Sequence, residues 1–209
     1  MKSNICKLSK DLTCLEEVLS EVEKVAAYNG LEDKKALRLR LMAEELCGML
    51  PGLINNFSGK FWAENEENNY ELHVDLKADD MSIDLRDELI SVSKSGKNAA
   101  AKGIMGKIRA VAETMLLVAS DPELQQIVPE GEFYDGYGYN MGFGYADLEV
   151  SNRTGYVYSW SLFNYKSAVE KNEDEAYAEL ERSIVAKLAD DIIVGVCGNN
   201  VEIVVRKSF

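Results

Sequence analysis

One carboxylate in this chain is set up by its spacing for chemistry. In the run Ala43-Glu44-Glu45-Leu46-Cys47-Gly48-Met49, Glu45 follows Met42 by three residues and precedes Met49 by four. On a helix those positions share its flank, so its neighbours there are apolar. A carboxylate at the edge of a core tends to have a raised pKa and can serve as a general base. The competing reading is a glutamate that reaches solvent or pairs with a lysine at the helix edge. A second concentration is basic: Lys94, Lys97, Lys102, Lys107 and Arg109, interleaved with Gly96, Gly103 and Gly106. Glycines opening a helix expose backbone N–H groups, and with lysines they suit a phosphate. A solvated helix start explains the same residues.

The remaining reactive types exclude more than they offer. A single histidine, His73, removes zinc sites built on several histidines, and any catalytic triad would have to use it. Lying between Glu71 and Asp75 on the polar side of a strand, it reads as a surface histidine. Cys6, Cys14, Cys47 and Cys197 contain no C-x-x-C pair and read as scattered small apolar residues. No metal site is expected. Free thiols suit a reducing cytosol, and two disulfides are the alternative in a secreted setting. With 36 acidic against 23 basic residues, the net charge of -13 argues against nucleic acid or an anionic membrane as partner.

These groups need elements to position them. The 209 residues suit a single domain. Leu12, Leu15, Val18, Leu19, Val22, Val25 and Ala26 recur at helical steps, predicting a helix over 12–29. Thr13 and Glu16 could form a capping box, and Gly30 a left-handed stop. A second helix is expected over 32–50, ended by Pro51-Gly52. Residues 70–77 alternate as a strand, turn at 78–80, and continue in a second strand through Met81, Ile83 and Leu85. Residues 91–101 read as a mobile loop, 99–119 as a helix, 146–150 and 156–162 as a hairpin, and 166–188 as one helix. Gly198-Asn199-Asn200 joins a closing hairpin of 192–197 and 201–207. The economical assembly is α+β: a two-layer α/β sandwich with helices on one face of a mostly antiparallel sheet. No bilayer-spanning run and no signal-peptide pattern is evident, so the expected location is cytoplasmic.

The helix pair carrying Leu37-Arg38-Leu39-Arg40-Leu41-Met42-Ala43-Glu44-Glu45-Leu46, followed by a hairpin ending in Arg86-Asp87-Glu88, resembles the histidine kinase-like ATPase superfamily. Within it the chain looks most like the anti-sigma-factor serine kinases. The resemblance implies a Glu-x-x-x-Asn box whose glutamate activates water or a hydroxyl and whose asparagine holds magnesium. Glu45 matches that glutamate, while Met49 stands in place of the asparagine. It further implies an Asp-x-Gly-x-Gly motif whose aspartate binds adenine. Asp87 takes that place, with Leu89 and Ser91 where the glycines belong. The lid and phosphate cradle would fall on Gly96 through Arg109, with Lys97, Lys102, Gly103 and Gly106 nearest the phosphates. ATP and magnesium are the cofactors implied, and a regulator of sigma-factor type the partner implied. The likeness covers about 10–119 and 190–207, leaving 121–189 as an insertion.

Met49, Leu89 and Ser91 remove a magnesium ligand and both glycines, which points to a regulator whose ATP binding is weak or lost. Three alternatives stand beside it: a non-catalytic interaction module on the same fold, a working serine kinase or ATPase, and an unrelated α+β domain. A protein partner and a homodimer are compatible with each. Tyr134, Tyr137, Tyr139, Phe143 and Tyr145 alternate with glycines over 131–145, which reads either as an adaptable binding surface or as a loop folded over the sheet. Phe57, Phe61 and Trp62 read as a cap on the core in the connection after the second helix.

Overall fold

The computed structural model describes residues 1–11, 13–53, 57–78, 103–120, 144–145, 158–169 and 183–209. Strand β1 (Cys6–Leu8) leads into helices α1 (Leu15–Tyr28) and α2 (Asp33–Leu53). A long hairpin follows, β2 (Phe57–Glu66) and β3 (Asn69–Ala78), then α3 (Gly103–Ser120). The strands β4 (Gly144–Tyr145) and β5 (Tyr158–Ser161) precede α4 (Leu162–Val169) and α5 (Ile184–Leu188). The chain closes on the hairpin β6 (Asp191–Cys197) and β7 (Asn200–Ser208). Together the strands form one seven-stranded antiparallel sheet in the order β1-β2-β3-β7-β6-β5-β4. The fold is α+β.

Strand alternation gives the sheet two unlike faces. On one, Phe61, Val74, Ile203 and Val194 stand in a single cross-strand row, and the neighbouring rows are equally apolar. This face and the helix residues Val18, Val22, Leu39, Met42, Leu46, Ile108 and Met115 form one buried core. The pattern of α1 predicted by its apolar steps is the pattern it buries. Gly30 does end α1 in the left-handed region, at φ +65°, with its N–H and that of Leu31 donating to Ala27 and Ala26 carbonyls.

Several expectations need correction. The hairpin partner of residues 70–77 is 57–66, not 81–85. Both edges of β3 are taken, by β2 and β7, and residues 81–85 lie outside the described residues. Phe57 and Phe61 are thus inward strand residues, whereas Trp62 points to the other face. The strand escaped notice because its inward positions include Gly59 and Asn65. Gly59 is required there: a Cβ would sit 2.6 Å from Leu76 Cδ2 and 2.9 Å from the Asp75 carbonyl oxygen. Asn65 stays buried because its amide donates to the Glu67 and Asn69 carbonyls and so closes the turn.

Helix α2 continues through Pro51-Gly52 to Leu53. The capping box does not form: Cys14 is the N-cap of α1, and Thr13 donates instead to Asp11. The helix expected over 166–188 is not continuous, because Ser183 is extended (φ -82°, ψ 130°) and starts α5 afresh. Strands β4 and β5, from the stretch read as an insertion, extend the same sheet beyond β6.

Candidate functional site

Glu45 projects from α2, between the buried Met42 and the partly buried Met49. Both of its carboxylate oxygens are engaged by one backbone turn. Oε2 accepts the Val185 N–H at 2.8 Å, and Oε1 accepts the Ser183 hydroxyl at 3.3 Å. Ser183 Oγ in turn accepts the Ala186 N–H at 3.2 Å, as a serine N-cap does. The first turn of α5 therefore has its N–H groups satisfied by its own serine and by a carboxylate from α2. The negative charge also faces the positive end of a helix dipole. Chemically, this is a tertiary cap that ties the approach to β6 onto α2.

The other residues assigned by resemblance fare differently. Gly103 opens α3 and Gly106 lies in its first turn, on the helix that packs beside α2. Asp87, Lys97 and Lys102 lie outside the described residues, as does the Gly/Tyr stretch up to Phe143. Because β3 ends at Ala78, the acids directly after the observed hairpin are Asp79 and Asp80 rather than Asp87. Among the described residues a magnesium ion has no fit at the α2 box. Met49 is packed against the core and offers a thioether where a hard cation requires oxygen, and the Glu45 oxygens are already bonded. No group of three or more His, Cys, Asp or Glu able to hold a metal occurs among the described residues.

A second constellation lies on the opposite face of the sheet, and the sequence reading passed it over. His73 is not a solvent-exposed histidine: its side chain is only 12% exposed. Its ring stacks on Trp62, centroids 4.7 Å apart and planes 7° from parallel. Nε2 lies 3.2 Å from Glu71 and Nδ1 3.3 Å from Glu202. Burial works against the charged imidazole, but hydrogen bonds and charge from Glu202 and Glu71 outweigh it and raise the pKa to about 9. Glu71 is held down to about 2, first by the His73 hydrogen bond and then, against burial, by the Arg206 charge. Arg206 Nε donates to Glu71 at 2.8 Å. Lys2 lies 4.5 Å over the Trp62 ring and pairs with Glu64, which also accepts the Trp62 indole N–H at 2.7 Å. The missing signal was Trp62: once 57–66 is a strand, register alone sets it opposite His73.

Where these strands end, a cleft of about 740 Å³ opens between Lys2, Glu66, Glu71, Phe163, Asp191 and Arg206. Its charges are largely paired internally, Arg206 with Glu71 and Lys207 with Asp190, so it presents a mixed rather than a single-sign surface. The four thiols are free, and burial pushes Cys47 up to about 12 and Cys6 to about 11. Neither is a nucleophile. No protein-family model matches the chain, and no curated protein is similar to it. Among the described residues no helix is long and apolar enough to cross a membrane.

Proposed function

We propose that this chain is a cytoplasmic regulatory protein on a histidine kinase-like ATPase fold, of anti-sigma-factor type, that acts by binding a protein partner, with its nucleotide chemistry weakened or lost. The observation that carries the reading is the engagement of both Glu45 oxygens by Ser183 and Val185. A general base must reach the proton it abstracts with a free lone pair in hydrogen-bond range. Here the residue in the base position serves as a cap instead.

The element order supports the fold assignment: two helices, a hairpin, a glycine-opened helix beside the second helix, and a closing hairpin. The free thiols suit a reducing compartment. Met49 in the magnesium position supports the loss of nucleotide chemistry. Calorimetric titration with ATP and magnesium tests the reading. No heat, or binding weaker than about 1 mM, is expected. Micromolar binding would instead favour a working nucleotide site.

A further inference from the structure

The sheet face outside the core carries a charge pattern that its own chain does not resolve. In one cross-strand row stand Lys7 of β1, Lys60 of β2, Asp75 of β3 and Glu202 of β7. Read across the sheet the row is plus, plus, minus, minus. Lys7 lies directly opposite Lys60, and Asp75 directly opposite Glu202, and like charges in such pairs repel. Lys7 and Lys60 are exposed, and among the described residues neither they nor Asp75 closes an ion pair. Glu202 keeps its contact with His73.

Such a row is antisymmetric about the line between β2 and β3. Rotated by a two-fold axis along that line, it meets its own complement. Lys7 then faces Glu202 of the second copy, and Lys60 faces Asp75 of the second copy, each pair occurring twice as an isologous interface demands. The adjacent row supplies the apolar part: Trp62, His73 and Val204, with Ile5 beyond them at 55% exposure on β1's approach. The same rotation sets Trp62 against His73 and Ile5 against Val204. Val204 is buried yet stands apart from the helix-side core. In the third row Glu64 and Glu71 are already neutralised within the chain by Lys2 and Arg206. On a protein of net charge -13, most surfaces of two copies repel each other, whereas this face carries Lys2, Lys7, Lys60, Lys77, His73 and Arg206 against a similar number of acids.

We propose that this face docks a second copy of the same chain, with the two sheets related by a two-fold axis between β2 and β3. The inference is independent of the nucleotide question, since none of these residues belongs to the α2 box.

Sedimentation velocity at micromolar concentration and low salt tests it. The wild type is expected at the mass of two 23.3 kDa chains, weakening as salt rises. Lys60→Glu places two like-charge contacts at the interface and should raise the dissociation constant by about tenfold or more. Lys60→Glu combined with Asp75→Lys reverses the central pair in both copies and should restore the dimer, which also guards against a fold defect in the single variant. A monomeric wild type overturns the proposal. So does a Lys60→Glu protein that dimerises as tightly as wild type, or a reversed pair that stays monomeric.

Discussion

The two faces of the sheet are made from alternate residues of the same strands, but different physics holds each. On the helix side, Phe61, Leu72, Val74 and Ile203 are essentially removed from water, and their stabilisation is area-driven and indifferent to pH. On the other side, Trp62, His73, Glu71, Glu202 and Arg206 exchange hydrogen bonds and charge at the sheet surface. The first face specifies the fold. The second is where pH, salt and a partner can act, because its interactions depend on protonation and screening.

The comparison is sharpened first by paired truncations in β2. Phe61→Ala should cost about 3–5 kcal/mol in urea unfolding, because it empties a fully buried site. Lys2→Ala, which removes the exposed partner of Glu64 on the opposite face, should cost less than about 1 kcal/mol. Equal losses would erase the distinction between the faces.

Between these extremes falls the histidine. Its folded pKa, about 9, lies above the unfolded value near 6.5. Its contribution is therefore fully present below about pH 6.5 and is lost as the pH rises through 9, on the order of 1–3 kcal/mol. Glu71 is the opposite case: its contribution is present above its ordinary range and is lost as the pH falls toward 2, though it reports largely the same pairing. Because the chain has one histidine, its imidazole resonance gives the folded pKa directly. A value near 6.5 would contradict the bonded geometry, and in His73→Gln the alkaline loss of stability should flatten.

Smaller again is the cap on α5. Glu45→Ala removes the acceptor for the Val185 N–H and the Ser183 hydroxyl and should lower stability by about 1–2 kcal/mol. Glu45→Gln keeps one acceptor and should lose less.

The helices α1, α2 and α3, the strand β3 and the closing hairpin were legible because long apolar periodicities have one physical solution. What failed to show was set by tertiary context. Strand β2 carries Gly59 and Asn65 inward because Leu76 and a turn need them, and this breaks the alternation that marks a strand. Displacing the hairpin from 70–85 to 57–78 also separates Asp87 from the strand end on which it was placed. His73 read as a surface residue because its partners, Trp62, Glu202 and Arg206, come from strands distant in sequence or unrecognised. Glu45 was correctly singled out as unusual, but its partners lie well over a hundred residues away, beyond the reach of any local pattern.

The central claim is that the carboxylate in the base position is a structural cap, and phosphate release from ATP and magnesium tests it most directly. Wild type and Glu45→Gln should both release phosphate no faster than buffer. Turnover by the wild type that disappears in Glu45→Gln would show that Glu45 still acts as a base, and the account would be wrong.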